Sequence, residues 1–315
     1  MRYLSLFSGI GGFEVAIHQV FGSKATCVGY SEIDKDAIKE YERHYPDHQN
    51  LGDINFIKKK DIDKLGEIDL VVGGFPCNDL SSARHVARPG LDGVKSGLFW
   101  IMLKVLKWIL KSNPFVQIII ENNASMAHKW RDMITNELSR VFKRHVYCNY
   151  FDSSQWVLQR RRRFYWTLKE IPEYKGKQLQ TFEDVLESTV SSKYLVSDTM
   201  IKSKNQPYHE GKSGIIWDLD KKMFKPVPYK TRWKSSISIV TDNHIKCFTT
   251  TRHDNILYDL RFEPPILRYF TKKEISILFG FPYDYIKSES PHITQKLFGM
   301  TVVPPVIKHI ISHLF

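Results

Sequence analysis

The chain has 315 residues and a formal net charge of +12, which suits one large domain or two unequal ones and favours a polyanionic partner such as nucleic acid. No apolar run predicts a membrane span, and the N-terminus lacks the layout of a signal peptide. Four widely spaced cysteines, without a Cys-x-x-Cys pair, argue against a zinc site or a disulfide framework and indicate a reducing compartment.

The N-terminal residues predict a βαβ unit. A strand over Leu4–Phe7 leads through a glycine-containing loop to a helix over Glu14–Phe21 and a strand over Thr26–Tyr30. Glu32 follows at the position of the ribose-binding acid in nucleotide-binding units. However, Glu14 replaces the third glycine of a dinucleotide fingerprint, and a carboxylate in the first helical turn disfavours a pyrophosphate. The loop therefore predicts a nucleoside site without phosphate, with a plain tight turn as the alternative.

A helix over Ala37–His44 follows, and Asp53 stands where a third strand is expected to end. A carboxylate at this place suits the amino group of an adenine. Its alternative role is that of a helix cap or turn former.

The chain is organised around residues 67–82. The apolar run Ile68–Val72 ends in two glycines, and Cys77 follows. A thiol after a central strand of an open α/β sheet points into the crevice where such sheets bind ligands. This segment alone favours two interpretations of Cys77 equally: a nucleophile, or a small buried residue. The polar loop over residues 81–96 is of a kind that closes over substrate.

Charged side chains mark two further strands. Val116–Ile120 predicts a buried strand that ends at Glu121, and a carboxylate there needs a partner or a role. Because alternate strand residues share a face, Gln159, Arg161 and Arg163 are predicted to point towards an anion or the polar edge of a base. A solvated surface is the alternative. The other elements predicted nearby are helices over Leu98–Leu110 and Trp130–Phe142 and strands over Val146–Phe151 and Phe164–Trp166.

Periodicity weakens after residue 168. We predict a catalytic domain over residues 1–168, a smaller irregular domain over 169–260 that touches the partner, and a C-terminal segment over 261–315 that returns to the first domain. Thr271 and Glu274 form a capping-box pattern. From Lys296 onwards we expect a loop and then a helix.

Several motifs, taken in order, resemble those of the cytosine carbon-5 DNA methyltransferases. The motifs are Phe7-Ser8-Gly9-Ile10-Gly11-Gly12, Pro76-Cys77, Glu121-Asn122, Gln159-x-Arg161-x-Arg163, Arg268-x-x-Thr271-x-x-Glu274 and Gly280-Phe281-Pro282. The amino-acid sequences of these motifs are most similar to those of the vertebrate-type de novo branch. The similarity is carried by Pro76-Cys77-Asn78-Asp79-Leu80-Ser81 and Thr250-Thr251-Arg252. The resemblance implies a doubly wound, Rossmann-like α/β methyltransferase domain, with a target-recognition domain over residues 169–260.

Three positions depart from the family pattern. Ser5 stands in place of the usual acid before the first motif, and Asn123 in place of the usual valine after Glu-Asn. Met300 replaces the asparagine of the final motif, and Thr301 is the expected substitute for its cofactor contact.

The resemblance also implies an activity: transfer of a methyl group from S-adenosylmethionine to carbon 5 of a flipped-out cytosine in double-stranded DNA, through a covalent adduct with Cys77. The implied catalytic residues are Cys77, Glu121, Arg161 and Arg163. The implied cofactor-binding residues are Phe7, Gly9, Gly11, Glu32, Ile33, Asp53, Ile54, Pro76, Leu98 and Thr301. The implied DNA-binding residues are Asn78, Ser81, Arg84, Gln159, Arg232 and Arg252.

We expect a monomer of the restriction-modification type, without bound metal or chromatin-reading modules. Its expected location is the cytoplasm of a bacterium or of a virus-infected cell, or the nucleus if the source is eukaryotic. An NAD-dependent dehydrogenase would share the early βαβ layout, but Glu14 and the lack of an evident hydride-transfer pair disfavour it. Intact Cys77 and Glu121 disfavour an inactive DNA-binding paralogue. The target sequence is not predictable because it depends on the divergent region.

Overall fold

A six-stranded sheet forms the centre of the N-terminal half of the chain. Its strands lie in the order β2-β1-β3-β4-β6-β5, with β2, β1, β3 and β4 parallel and β6 antiparallel to both of its neighbours. The strands are β1 (Arg2–Leu6), β2 (Thr26–Ser31), β3 (Leu70–Gly74), β4 (Gln117–Asn123), β5 (Tyr147–Asp152) and β6 (Arg162–Thr167). The computed structural model describes residues 1–76, 80, 90–93, 97–196, 214–218, 223–227, 237–239, 245, 247–248, 256–259, 261–264 and 266–315.

Helices cover both faces of this sheet. On β1, Tyr3 belongs to one apolar cluster and Leu4 to the other, so successive side chains enter opposite layers. This explains why the central strands are continuous apolar runs instead of alternating ones. The predicted doubly wound α/β architecture is confirmed. The helices are α1 (Gly12–Phe21), α2 (Lys35–His44), α3 (Lys59–Asp63), α4 (Leu98–Ser112), α5 (His128–Phe142), α6 (Phe182–Val185), α7 (Lys272–Phe279), α8 (Pro291–Met300) and α9 (Pro304–Leu314).

The order of the strands places a ligand crevice. The chain passes from β1 to β2 on one side of β1 and later returns as β3 on the other side. In open α/β sheets, ligands bind at such a switch point, outside the carboxyl ends of the strands. The segments after β1, β2 and β3 meet at this edge.

Two predicted elements differ in the structure. No third strand forms before Asp53 in the described residues; Tyr30 and Asn50 make an isolated bridge, and a short 3-10 turn follows over Ile54–Phe56. The turn prevails because the Asp53 carboxylate caps it locally. The predicted loop from Lys296 lies within α8, because Ser290 caps this helix and Pro291 begins it.

The C-terminal helices are apolar enough to resemble a membrane span. Residues Pro291–Leu314 satisfy the length and composition of a span, but 61% of their most apolar window is buried within the fold. Residues 301–303 also divide the stretch into α8 and α9. Both helices contribute to the apolar cluster that packs against α1, so they are core helices.

The region after residue 169 contains two small sheets. A hairpin pairs β7 (Gly214–Asp218) with β8 (Met223–Val227), and a three-stranded sheet joins β9 (Ile237–Ile239), β10 (Ile256–Asp259) and β11 (Ile266–Tyr269). The antiparallel pair β10–β11 crosses residue 260. The division into domains at 168 and 260 therefore stays a prediction.

A closed ion-pair network joins this three-stranded sheet to α7. The Arg268 guanidinium donates to both oxygens of Glu274 at 2.8 Å and to Asp259 at 3.0 Å, and all three side chains are 0% exposed. The Glu274 carboxylate also accepts from the backbone amides of Thr271 and Glu187 at 2.8 and 2.9 Å. The predicted capping box is confirmed.

Candidate active site

The loop after β1 is a tight glycine turn. Gly9 and Gly11 have φ of +57° and +89°, and Phe7 adopts +56°, a left-handed conformation that is unusual for a bulky residue. A Cβ on Gly11 would lie 2.9 Å from the Tyr45 ring, whereas one on Gly9 would meet no heavy atom of the described residues within 4 Å. The turn is therefore crowded behind Gly11 and open at Gly9.

The predicted ribose acid lies against this turn. One Glu32 oxygen accepts from the Gly9 amide at 2.9 Å, and the other accepts from the amides of Ile33 and Asp34 at 2.7 and 2.9 Å. Gly9 and Glu32, on loops after neighbouring strands, are thus brought together as the sequence indicated. Ile33 beside them is 64% exposed, which leaves an apolar side chain uncovered at the crevice.

The other predicted cofactor residues occupy different environments. Asp53 Oδ1 accepts from the amide and side chain of Asn55 at 2.9 Å, so it fills the capping role that was the alternative. Ile54 is 2% exposed and packs in the core, while Pro76 and Leu98 are half-buried. Thr301 is buried and packs against α1. A Cβ on Gly12, the first residue of α1, would lie only 2.5 Å from the Thr301 hydroxyl oxygen.

Glu121 has the partner that its position required. Its Oε1 lies 2.6 Å from Arg163 Nε, and the two side chains are 12% and 10% exposed. Antiparallel pairing sets Arg163 opposite Asn123, two residues along β4, so the two side chains are diagonal neighbours on one face. An ion pair at the carboxyl end of the sheet therefore stays in reach of the crevice.

The strand that leads to Cys77 is fitted to this carboxylate. A Cβ on Gly74 would lie 2.7 Å from Glu121 Oε2, so the second glycine of β3 makes room for the acid. Asn122 Nδ2 donates to the carbonyl of Phe75 at 3.0 Å in a buried contact. Asn122 thus fixes the backbone two residues before Cys77, a role that a buried amide beside Glu121 could have suggested.

The alternation predicted for the arginine run is confirmed. Gln159, Arg161 and Arg163 are 0%, 4% and 8% exposed, whereas Arg160 and Arg162 lie at the surface and pair with Asp152. Neither amide atom of Gln159 has a hydrogen-bond partner among the described residues. A buried polar group without a partner is costly, which is consistent with a side chain that serves a ligand.

Arg161 links three parts of the chain. Its guanidinium donates to the carbonyl oxygens of Phe248 and Gly299 at 3.2 and 3.1 Å. Burial lowers the pKa of Arg161, and the nearby Arg163 charge acts in the same direction. The side chain therefore ties the sheet edge to the loop at 247–248 and to α8.

Six predicted site residues lie outside the described residues: Cys77, Asn78, Ser81, Arg84, Arg232 and Arg252. Most of the loop over residues 81–96, which we expect to close over substrate, also lies outside the described residues. Their roles stay predictions.

A buried carboxylate behind the glycine turn was not predicted. Glu14, in the first turn of α1, is 0% exposed and accepts from the Tyr41 hydroxyl at 3.1 Å. Burial raises the pKa of Glu14 to about 7, although hydrogen bonds, among them one from Tyr41, partly oppose this shift. The sequence singled out Glu14 only as an obstacle to pyrophosphate, because its tyrosine partner comes from α2.

Comparison with known proteins gives the family. The family described as C-5 cytosine-specific DNA methylase matches residues 1–315. The chain therefore belongs to the C-5 cytosine-specific DNA methylase family.

Its relatives come from bacteria, phages and plants. The orphan methyltransferase M.Rho11sI of Bacillus phage rho11s is 46% identical over 109 residues, which span 34% of this chain and 20% of the phage protein. The type II methyltransferase M1.ScrFI of Lactococcus lactis subsp. cremoris is 27% identical over 333 residues, 97% of this chain and 76% of the relative. DRM2 of Arabidopsis thaliana is 35% identical over 116 residues, 34% of this chain and 18% of that protein. The likeness to the vertebrate-type branch rests on short motifs alone.

Solved structures share the fold. EhMeth of Entamoeba histolytica superposes with a TM-score of 0.74 at 18% identity, covering 100% of this chain and 98% of that one. A DNMT2 mutant from Spodoptera frugiperda gives a TM-score of 0.70 at 20% identity, covering 100% and 99%. The mixed α/β fold with its mostly parallel sheet is therefore that of methyltransferases.

Proposed function

We propose that this chain is a DNA (cytosine-5-)-methyltransferase that transfers a methyl group from S-adenosylmethionine to carbon 5 of a cytosine through a covalent Cys77 adduct. Family membership gives the reaction class. The observation that carries the mechanism is the Glu121–Arg163 ion pair, packed against Gly74 at the end of the strand that leads to Cys77. The dehydrogenase alternative has no support from the family.

The crevice fits S-adenosylmethionine. The space over Gly9 is open in the described structure, and Ile33 is an uncovered apolar side chain. Glu32 follows β2 directly, where ribose hydroxyls would need an acceptor. Phe7, Pro76 and Leu98 supply further partly exposed apolar surface for an adenine. We propose that these residues and Gly11 hold the cofactor, with Asp53, Ile54 and Thr301 at its edges. When bound, the cofactor supplies an electrophilic methyl group on a sulfonium.

Carbon 5 of cytosine is a poor nucleophile, so the enzyme must increase its reactivity before it can accept a methyl group. The Cys77 thiolate forms a bond to carbon 6, and the electron pair of the 5,6 double bond moves to carbon 5. Nitrogen 3 takes up a proton from solvent and donates it in a hydrogen bond to the Glu121 carboxylate, and it gives the proton back when the product is released. After methylation, a base removes the proton from carbon 5, and that electron pair expels the Cys77 sulfur and restores aromaticity. The route divides a difficult step into easier ones.

Arg163 holds Glu121 in place for this step. An ion pair at 2.6 Å orients the carboxylate, and the neighbouring Arg161 anchors the same strand to α8. We propose Arg163 and Arg161 as residues that position the flipped nucleotide. Flipping is required because the target atoms lie within the base stack, and it costs roughly a few kcal/mol.

The family acts on DNA, and we propose double-stranded DNA as the substrate of this chain. The basic excess of +12 agrees with a phosphate-rich partner. Gln159 lies buried, and its amide atoms have no partner in the part of the chain that the structure describes. It is our strongest DNA-binding candidate among those residues. We propose Asn78, Ser81, Arg84, Arg232 and Arg252 as the others, with residues 169–260 as the target-recognition region. The bacterial and phage relatives favour a cytoplasmic enzyme of the restriction-modification type, which we propose acts as a monomer.

Methylome sequencing of bacteria that express the chain tests the function. We expect 5-methylcytosine at one defined sequence in the wild type and none with Cys77→Ala. Methylation confined to the exocyclic amine, or persistence of 5-methylcytosine in Cys77→Ala, would contradict the proposal.

A further inference from the structure

A tyrosine from the C-terminal segment reaches the glycine turn from behind. The Tyr285 side chain is 2% exposed, and its hydroxyl donates to the carbonyl oxygen of Ile10 at 2.8 Å. Ile10 lies between Gly9 and Gly11, whose backbones are both in left-handed conformations. The hydrogen bond therefore holds the middle of the turn that we propose as a wall of the cofactor site.

The ring that carries this hydroxyl is itself fixed. Its face stacks on His44 with centroids 3.7 Å apart and an interplanar angle of 6°, and Phe281 packs at 4.7 Å. The backbone carbonyl of Tyr285 interacts with His44 Nε2 at 2.9 Å and with the Arg43 guanidinium. A ring held at its face and at its backbone gives the hydroxyl a defined position.

The segment after Tyr285 is tied to the same helix. The buried Glu40 carboxylate of α2 accepts from the amides of Lys287 and Ser288 at distances of 2.9–3.2 Å. Further along, Lys296 lies 2.5 Å from Asp34 and 3.1 Å from Asp36, beside the loop of the predicted ribose acid. The C-terminal segment thus braces the loops after both β1 and β2.

The glycine turn lies between two restraints. On the crevice side, the Gly9 amide donates to Glu32 at 2.9 Å. On the far side, a Cβ on Gly11 would lie 3.1 Å from the Tyr285 hydroxyl oxygen and 2.9 Å from Tyr45. The shape of the turn, and the direction of the Gly9 amide, therefore depend on a contact made 275 residues away along the chain.

We propose that Tyr285 is a positioning residue for the cofactor: its hydrogen bond to Ile10 holds the glycine turn in the shape that receives S-adenosylmethionine. The inference rests on the proposed function of this turn. Tyr285→Phe is the sharpest variant, because it keeps the buried ring and its stacking and removes only the hydroxyl. Tyr30→Phe is the matched control. Its ring is 0% exposed, and its hydroxyl donates to Glu42 of α2 at 3.2 Å, whereas that of Tyr285 donates to the turn itself.

Calorimetric binding of S-adenosylhomocysteine to the full chain tests the inference. We expect the Kd to rise about 5- to 10-fold in Tyr285→Phe, the factor that a lost hydrogen bond commonly gives. In Tyr30→Phe the change should stay below about 2-fold. In kinetics, the KM for S-adenosylmethionine should rise by the same factor while kcat changes by less than about 2-fold, because the reacting groups remain in place.

Hydrogen–deuterium exchange of the ligand-free protein gives a second measurement. Peptides that cover residues 8–12 should exchange faster in Tyr285→Phe than in wild type and Tyr30→Phe, even if the variant has lost stability elsewhere. Unchanged Kd and unchanged exchange in Tyr285→Phe, or equal weakening in Tyr30→Phe, would overturn the positioning role. A wild-type protein that binds neither compound would overturn the proposed function itself, and the inference with it.

Discussion

The ion pairs Arg268–Glu274 and Arg163–Glu121 differ in how far they are enclosed. Arg268 and Glu274 are 0% exposed, and Asp259 and two backbone amides complete their hydrogen bonds. Arg163 and Glu121 are 10% and 12% exposed, and they meet at the edge where the strands end. The first pair is therefore inaccessible to a ligand. The second retains access to a ligand, so we propose that the same kind of ion pair supports the fold in one place and catalysis in the other.

Glu121→Gln should give the largest effect on activity. The amide keeps the size of the side chain but removes the charge that stabilises the cytosine adduct. We expect methyl transfer to fall about 10²- to 10⁴-fold, while the Kd for S-adenosylhomocysteine stays within about 2-fold of wild type. Initial rates of tritiated methyl incorporation and calorimetry measure these quantities. Methyl transfer near the wild-type rate would remove Glu121 from the catalytic group.

Glu274→Gln should reverse this pattern. Removing one partner of a buried ion pair leaves Arg268 incompletely compensated and costs about 3 kcal/mol of unfolding free energy. Denaturant titration measures the loss, and the specific activity of the folded fraction should remain near wild type. Glu289→Gln, which removes a surface pair with Lys272 whose acid is 63% exposed, is the control and should leave stability unchanged. Stable Glu274→Gln protein without activity would contradict the comparison.

Glu14 extends the comparison to a buried acid without a described ion pair. Its folded pKa of about 7 lies above the ordinary value of 4.5, so the folded state holds a proton that the unfolded state releases between these values. The contribution of Glu14 to the free energy of unfolding should therefore fall by roughly 3 kcal/mol as pH rises from about 4.5 to 7.

Glu14→Gln should remove this pH-dependent loss. Denaturant titration at pH 5 and pH 8 checks it, with the exposed Glu173→Gln as the control. Burial raises the pKa values of Tyr41 and Cys27, so these two groups stay neutral in this range. Burial lowers the pKa of His48 to about 4, which makes stability rise with pH over part of the same range, so the prediction concerns the difference between wild type and Glu14→Gln, in which the His48 contribution cancels. A wild type and a Glu14→Gln variant with the same pH dependence would contradict the prediction.

Gln159→Leu should give the smallest change in stability. It should stabilise the fold, whereas Glu274→Gln destabilises it. Replacing a buried amide that has no partner within the described structure by an apolar side chain of similar size should stabilise the fold by about 1 kcal/mol. The same change should weaken DNA binding if Gln159 serves the substrate. Denaturant titration and fluorescence anisotropy on a target duplex separate the two effects. A destabilised variant with unchanged DNA affinity would make Gln159 a structural residue.

Local patterns explain what could be predicted from the sequence. The buried strands, the burial of alternate arginines and the capping box of α7 depend on neighbours within a few residues, and the structure confirms them. The pairing of Glu121 with Arg163 depends on β6 entering the sheet beside β4, and the contact of Tyr285 with Ile10 joins the two ends of the chain. Such contacts leave no periodicity in the sequence. Asp53 was expected to end a third strand, but its carboxylate instead makes a local hydrogen bond that caps a short turn.

Covalent trapping on DNA tests the central claim most directly. Fluorine at carbon 5 of the target cytosine cannot leave as a proton does, so the adduct with Cys77 should persist after methyl transfer. A duplex that contains the recognition site with 5-fluorocytosine should form a complex that survives denaturing electrophoresis, requires S-adenosylmethionine and is absent with Cys77→Ala. S-adenosylhomocysteine should not support it. A preparation that methylates ordinary DNA but never traps on this duplex would contradict both the covalent mechanism and the assignment of Cys77.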